Sequence, residues 1–198
     1  MPSAWSAPLP LHTSVSAADG LSEHAALLAR VEELLPRADD VARRLISCFD
    51  AGGRVYTFGN GGSSTDAAHF AEELVGRFKR ERRPLPAQSL SVDASALTCI
   101  ANDYSFDEVF ERQVRGFVRA GDVVIGFSTS GRSANVVRGL AAAQELGAVT
   151  VLFGGGAPAA DHADVVLQIP SESTARIQEM HVLLLHLILE QVDAWAAS

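Results

Sequence analysis

Residues 54–66 read RVYTFGNGGSSTD, so that an apolar segment runs directly into glycines and hydroxyl residues. The pattern predicts a strand over residues 54–58, a tight loop, and a helix from about Ser64. Such a junction places unpaired backbone N–H groups and hydroxyls at a helix N-terminus, where an anion binds favourably. The glycines allow a sharp turn and a close approach to a ligand. The junction therefore predicts a phosphate or sugar site, with a plain connector as the alternative.

A second junction of the same kind lies further along the chain. Residues 123–127 are apolar, and the next eight read STSGRSAN at the start of a predicted helix. This segment carries four hydroxyl residues within six positions: Ser128, Thr129, Ser130 and Ser133. One serine is enough to cap a helix, whereas four can donate several hydrogen bonds to phosphate oxygens. The cluster favours a phosphate site over a helix cap.

The composition is that of a globular protein. The chain has 198 residues, 47% of them hydrophobic and 20% charged, which is typical of one domain. We expect residues 21–198 to form that domain. Residues 1–20 contain no Lys or Arg and no long apolar core, so we expect a loosely ordered tail rather than a secretory signal.

Charge, hydropathy and cysteine usage argue against nucleic-acid binding, membrane insertion and disulfide bonds. The formal net charge of −8 argues against a nonspecific nucleic-acid surface. The longest apolar run, residues 182–189, is too short to span a membrane. Cys48 and Cys99 lie in apolar surroundings without metal-type spacing. We therefore expect two reduced, buried thiols in a cytoplasmic protein.

Apolar segments alternate with helical ones along the rest of the chain. The predicted strands cover residues 54–58, 88–92, 122–127, 148–153 and 164–169. The predicted helices cover residues 21–50, 64–76, 94–102, 106–119, 133–146 and 172–195, with a bend at Pro36. This alternation indicates an α/β fold, a three-layer sandwich in which helices cover both faces of a five-stranded parallel sheet. Ligands in such folds bind beyond the carboxyl ends of the strands, where both loops lie.

Two helices carry further candidate residues. His69 and Glu73 are spaced i and i+4, so they share one helix face as two metal ligands, or a base and its partner, would. Glu72 is the competing carboxylate, about 100° round the helix from Glu73. Residues 182–189 are apolar on all sides except at His186, which predicts a helix buried in the chain or, as we expect, in an oligomer interface. By itself, His186 is explained by a core histidine.

Five stretches resemble, in order, the motifs of the sugar isomerase (SIS) domain family: residues 59–63 (GNGGS), 66–74 (DAAHFAEEL), 101–103 (AND), 128–135 (STSGRSAN) and 176–181 (RIQEMH). The similarity extends from about Leu21 to the C-terminus and is closest to the phosphoheptose isomerase subfamily. It implies a flavodoxin-like fold and a homotetramer with active sites at subunit interfaces. It also implies an aldose–ketose isomerase that converts sedoheptulose 7-phosphate to D-glycero-D-manno-heptose 7-phosphate through an enediol, the first step of nucleotide-activated heptose biosynthesis.

The resemblance assigns roles to individual residues. It implies Glu73 as catalytic base and His186 as catalytic acid. One zinc ion per subunit would be held by His69, Glu73, Gln178 and His186. The expected substrate-binding residues are Asn60, Gly61, Gly62, Ser63, Glu73, Arg77, Asn102, Asp103, Ser128, Thr129, Ser130, Ser133 and Gln178.

Two features bear on how this site is assembled. Gln178 and His186 lie eight residues apart, about 12 Å along a helix. We therefore expect them to come from different chains in a composite metal site. Ala175 stands where some phosphoheptose isomerases have an aspartate, which leaves the substrate preference open.

Two non-enzymatic functions are the alternatives. The same subfamily includes an adaptor that binds the DnaA replication initiator, shares the RIQEMH run and lacks a histidine corresponding to His186. A SIS-domain module that senses a sugar phosphate is the second alternative. The combination of His69, Glu73 and His186 favours the isomerase.

Overall fold

Five parallel strands form the centre of the fold. The structure, a computed structural model, describes residues 16–156 and 163–198. The strands are β1 (Val55–Gly59), β2 (Ala87–Ser89), β3 (Val123–Ser128), β4 (Val149–Gly155) and β5 (Val165–Ile169), in the spatial order β2-β1-β3-β4-β5. The α-helices of the described residues are α1 (Ala17–Val31), α2 (Leu35–Asp50), α3 (Gly62–Val75), α4 (Ala94–Asp103), α5 (Glu111–Phe117), α6 (Ala134–Glu145) and α7 (Thr174–Ala196). The predicted α/β fold with a five-stranded parallel sheet is confirmed.

Two apolar clusters make the fold a three-layer sandwich. Successive residues of a strand point to opposite faces of the sheet, so Val55 enters one cluster while Tyr56 and Phe58 enter the other. The first cluster packs that face against α1, α2, α3 and α7, and the second packs the other face against α4, α5 and α6. Because both faces are covered, the central strands are apolar throughout rather than alternating.

The first predicted helix differs from the observed one at its start and its middle. It begins at Ala17 rather than Leu21, because Ser16 and Asp19 form a capping box that satisfies the first N–H groups. A 3₁₀ turn separates α1 from α2, and Pro36 lies in the first turn of α2, where its missing N–H costs nothing. Residues 1–15 of the predicted tail and residues 157–162 lie outside the described residues.

The prediction of one continuous helix over residues 106–119 was also wrong, because this segment is divided into two shorter elements. A 3₁₀ turn, Phe106–Glu108, precedes the short helix α5. The break falls where the adjacent side chains of Val109 and Phe110 both enter the core, and Phe110 stacks on Phe58 with ring centroids 4.7 Å apart. Both side chains belong to the second apolar cluster, at the point where the 3₁₀ turn passes into α5.

Helix α7 packs largely within the chain. Leu184, Leu185, Ile188 and Leu189 are buried against the first face of the sheet and its helices. Val182, Leu183 and Leu187 are only partly covered. The helix is therefore part of the core of the chain. Its three partly exposed residues remain accessible to another subunit in the predicted oligomer interface. Among the described helices, none combines the length and the apolar content needed to cross a bilayer.

The strand order places the two predicted binding loops side by side. Strand β1 pairs with β3 in parallel, so that Gly59 lies opposite Phe127 at the carboxyl end of the sheet. The chain leaves β1 towards α3 on one face and leaves β3 towards α6 on the other. Such a reversal of strand order opens a crevice beyond the strand ends, where ligands of α/β proteins bind.

Candidate active site

The first loop depends on glycine at each step. Gly61 occupies the N-cap of α3 at φ 54°, a left-handed conformation that side chains disfavour. A Cβ on Gly59 would lie 2.6 Å from the carbonyl oxygen of Ser63, and a Cβ on Gly62 would overlap Nε2 of Gln178. The loop therefore closes tightly on the start of α3, and Gln178 of α7 lies directly against it. Gly61 and Gly62 are exposed to solvent at this point.

The second loop gathers its hydroxyls around one another. Oγ of Ser128 lies 2.9 Å from Oγ of Ser133 and 3.4 Å from Oγ of Ser130. Ser133 occupies the N-cap of α6, but its side chain makes no capping hydrogen bond. The helix-cap explanation for this serine is therefore wrong, since its hydroxyl pairs with Ser128 instead. The cluster and the positive end of the α6 dipole are suited to an anion.

A pair of amide side chains joins the two loops. Nδ2 of Asn60 donates to Oδ1 of Asn135 at 2.8 Å, and Nδ2 of Asn135 donates to Oδ1 of Asn60 at 2.9 Å. Asn135, in the first turn of α6, is buried. We did not assign this residue a role from the sequence, although it ends the motif of residues 128–135. The available signal was an amide side chain two residues after the last serine of the hydroxyl cluster.

Helices α3 and α7 bring together His69, Glu73 and His186. Their ligand atoms all lie within 4.8 Å of one another, and Nε2 of His69 is 3.3 Å from Oε1 of Glu73. The rings of His69 and His186 meet edge to face with centroids 5.1 Å apart. Glu72 is exposed and lies outside this group. The i and i+4 pair predicted on α3 therefore faces His186, and Glu73 is the carboxylate that does so.

Burial governs the protonation of this region. The pKa of His186 is lowered, first by desolvation and then by the neighbouring His69. Its ring also stacks on Phe78 with centroids 5.5 Å apart. Burial raises the pKa of Asp66, one turn before His69, to about 6. Lowered basicity keeps the His186 imidazole neutral near pH 7, the form in which it can ligate a metal.

The three side chains fit a zinc ion. Two imidazoles and one carboxylate are ordinary zinc donors, and two donors at about 2.0 Å from a tetrahedral ion lie about 3.3 Å apart. The 3.3 Å separation of His69 Nε2 and Glu73 Oε1 matches that geometry. His186 joins this group from the same chain. Gln178 lies against Gly62, at the opposite end of α3 from Glu73, so a fourth ligand from another chain stays a prediction.

Three of the remaining predicted residues are exposed to solvent. Asn102 and Asp103 are exposed at the end of α4, where Nδ2 of Asn102 donates to Oδ1 of Asp103 at 2.7 Å. Arg77 is exposed two residues after α3 ends, one turn beyond Glu73. Cys99 is exposed as well, and its predicted burial was wrong because the inward position of α4 belongs to the next residue, Ile100.

Further buried polar residues support α3 and β4. Arg82 donates to the carbonyl oxygen of Glu73 at 2.6 Å and pairs with the buried Asp193 of α7. His181, completely buried, contacts the carbonyl oxygen of Gly154 through Nε2 at 3.1 Å. None of these three side chains is assigned a role from the sequence. Partners distant along the chain leave no periodic signal in the sequence.

Comparisons with known proteins agree with this arrangement. The SIS domain family matches residues 21–155. The phosphoheptose isomerase of Aquifex aeolicus is 49% identical over 168 residues, which cover 84% of this chain and 88% of that protein. The structure of phosphoheptose isomerase GmhA from Neisseria gonorrhoeae has a TM-score of 0.83 and 39% identity, with 89% of this chain and 96% of that chain covered. A phosphoheptose isomerase structure from Francisella tularensis has a TM-score of 0.81 and 29% identity, with 91% and 100% covered. The chain belongs to the SIS domain family and, within it, to the phosphoheptose isomerases.

Proposed function

We propose that this protein isomerises sedoheptulose 7-phosphate to D-glycero-D-manno-heptose 7-phosphate, the first step of nucleotide-activated heptose biosynthesis. The observation that carries the proposal is that His69 and Glu73, on the helix that follows the first loop, meet His186 of α7. The relatives named phosphoheptose isomerase support the substrate. The hydroxyl cluster around Ser128 supports a phosphorylated one.

The two loops would hold the sugar phosphate by its ends. The hydroxyls of Ser128, Thr129, Ser130 and Ser133 and the N-terminus of α6 would bind the phosphate. The remaining proposed contacts to the sugar come from Asn60, Gly61, Gly62, Ser63, Arg77, Asn102, Asp103 and Gln178. Fixing the phosphate limits the motion of the chain of carbons, so that the reacting end meets Glu73 without a further loss of entropy.

Proton transfer would then proceed between two carbons. The carboxylate of Glu73 takes a proton from C1, beside the C2 carbonyl of the ketose, while the C2 oxygen takes up a proton from solvent, which gives a cis-enediol. His186 returns a proton to C2, and loss of the C1 hydroxyl proton leaves the aldose. A carboxylate and an imidazole are usual groups for such proton transfers, and a neutral His186 imidazole still carries one N–H proton to donate. Zinc held by His69, Glu73 and His186 would supply positive charge that polarises the carbonyl oxygen.

The assembly that we propose is a homotetramer with one zinc ion per subunit. Gln178 would complete the metal site from a neighbouring subunit, so that active sites lie at subunit interfaces. Support comes from the partly exposed Val182, Leu183 and Leu187 of α7. We also propose a cytoplasmic location, because Cys48 and Cys99 are unpaired thiols.

Turnover of the proposed substrate tests the function directly. Purified, zinc-loaded protein is incubated with sedoheptulose 7-phosphate, and formation of the aldose is followed by NMR. We expect conversion to an equilibrium mixture. Binding of the sugar phosphate without any conversion would reject the isomerase and favour a sensing module. Absence of both binding and conversion, with capture of the DnaA initiator, would instead favour the adaptor.

A further inference from the structure

We propose that Asn135 is a positioning residue for substrate recognition, which holds the sugar-binding loop at a set distance from the phosphate-binding loop. The inference rests on the proposed sugar-phosphate substrate and goes beyond it, since it concerns how the two halves of the site are coupled. Asn135 acts through Asn60 and not by touching the substrate.

The geometry of the amide pair supports this role. Each asparagine donates to and accepts from the other, at 2.8 and 2.9 Å, across 75 residues of sequence. Asn135 is 2% exposed, whereas Asn60 is half-buried at the mouth of the crevice. Because only Asn135 is fully buried, the surrounding fold fixes its side chain. The partly exposed Asn60 is then fixed by its two hydrogen bonds to Asn135.

The amide pair leaves one hydrogen-bond donor and one acceptor site of Asn60 for a ligand. A side-chain amide has two N–H donors and two acceptor lone pairs, and the reciprocal pair uses one of each. The second N–H and the second lone pair of Asn60 therefore remain for a sugar hydroxyl. Their direction is set by Asn135, because rotation of the Asn60 amide would break both hydrogen bonds at once.

The location of the pair explains why coupling matters. Asn60 follows β1 in the first loop, and Asn135 follows the serine cluster in the first turn of α6. A sugar phosphate must contact both loops at once, whereas inorganic phosphate needs only the second. A link between the loops should therefore affect the affinity for the sugar phosphate and leave the affinity for inorganic phosphate unchanged.

The test compares N135A with the wild type and with the control Q144A, which removes an exposed amide from the same helix. KM and kcat are measured with sedoheptulose 7-phosphate, and the Kd values of inorganic phosphate and of the sugar phosphate are measured by calorimetry. For N135A we expect KM and the sugar-phosphate Kd to rise about tenfold, or about 1.4 kcal/mol. We expect the inorganic phosphate Kd and the values for Q144A to stay within about twofold.

A double-mutant cycle separates positioning from direct contact. In an N60A background, N135A should cause no further rise in the sugar-phosphate Kd, because Asn135 acts through Asn60. N135S, a neutral variant whose short side chain does not reach Asn60, serves if N135A does not fold, and its sugar-phosphate Kd should rise selectively as well. Equal weakening of both ligands, or additive effects in the cycle, would overturn the inference. Calorimetry reports the coupling even if the wild type binds without turnover, so failure of the isomerase proposal is seen separately.

Discussion

Nη2 of Arg82 donates to the carbonyl oxygen of Glu73 at 2.6 Å, so that a buried guanidinium holds the backbone of the proposed catalytic base. The same group pairs with Asp193 through Nε at 3.2 Å, and both side chains are 1% exposed. Asp193 belongs to α7, the helix that carries His186. Arg82 thus ties the end of α3 to α7, and with it the two helices on which His69, Glu73 and His186 lie.

Breaking this buried ion pair should destabilise the protein strongly. In R82A, Asp193 would keep Arg80, which donates to it from the backbone N–H at 3.0 Å and from the side chain at 3.4 Å, but would lose its fully buried partner, so we expect the free energy of unfolding to fall by about 3 kcal/mol. The measurement is urea denaturation at pH 7. K79A is the matched control, since Lys79 pairs with Glu190 of the same helix at the surface, and its loss should cost about 1 kcal/mol or less. Equal effects of the two substitutions would contradict the structural role of Arg82.

Removal of the carboxylate of Glu73 should abolish catalysis while binding persists. For E73Q we expect kcat to fall by at least about 10²-fold, because a positioned general base contributes this much or more. The sugar-phosphate Kd from calorimetry should change much less, since the phosphate contacts are retained. E72Q alters the adjacent exposed carboxylate and should behave as the wild type. Wild-type turnover by E73Q would remove Glu73 from the base role.

Metal content should depend on the histidines of α3 and α7. We expect H69A and H186A to lose most of the bound zinc, measured by elemental analysis after dialysis against a weak chelator. H24A is the control, because His24 also contacts a carboxylate, Glu179, at 2.7 Å but lies outside the group. It should retain about one zinc ion per subunit, as expected for the wild type. Retention of zinc by both H69A and H186A would place the metal elsewhere.

His181 should make the protein sensitive to acid. Burial lowers its pKa from 6.5 to about 4, so below pH 6.5 the unfolded chain binds a proton that the folded chain does not. The contribution of His181 is complete above pH 6.5 and is lost as the pH falls towards 4, by roughly 3 kcal/mol in total. Asp66, with its pKa raised to about 6, acts in the opposite sense over an overlapping range.

The variant H181Q isolates this contribution. Glutamine can still donate to the carbonyl oxygen of Gly154 but does not titrate. The free energies of unfolding of the wild type and of H181Q are measured by urea denaturation at pH 7.5 and pH 4.5. We expect the wild type to lose more stability than H181Q when the pH is lowered from 7.5 to 4.5. Subtraction cancels the contribution of Asp66 and of all other groups. A difference independent of pH would show that His181 titrates normally in the folded protein.

Local sequence patterns were sufficient for the fold. Apolar strands alternating with helical segments determined the parallel sheet and its helical layers, since burial on both faces requires strands that are apolar throughout. The glycines and hydroxyls of residues 59–65 and 128–133 likewise marked the two loops, because tight turns and helix N-termini need particular residues at particular positions. These features depend on neighbours along the chain, so the sequence displays them directly.

The assembly of the site was decided by tertiary structure. Spacing placed His69 and Glu73 on one face of α3, but only the packing of α7 against α3 brought His186 to them and left Glu72 in solvent. The same applies to the pairs Asn60–Asn135 and Arg82–Asp193, whose members lie 75 and 111 residues apart. Sequence by itself determined which elements form and which chemistry each carries. Which side chains meet depended on long-range packing, because contacts between distant segments follow from how whole layers dock and not from any local period.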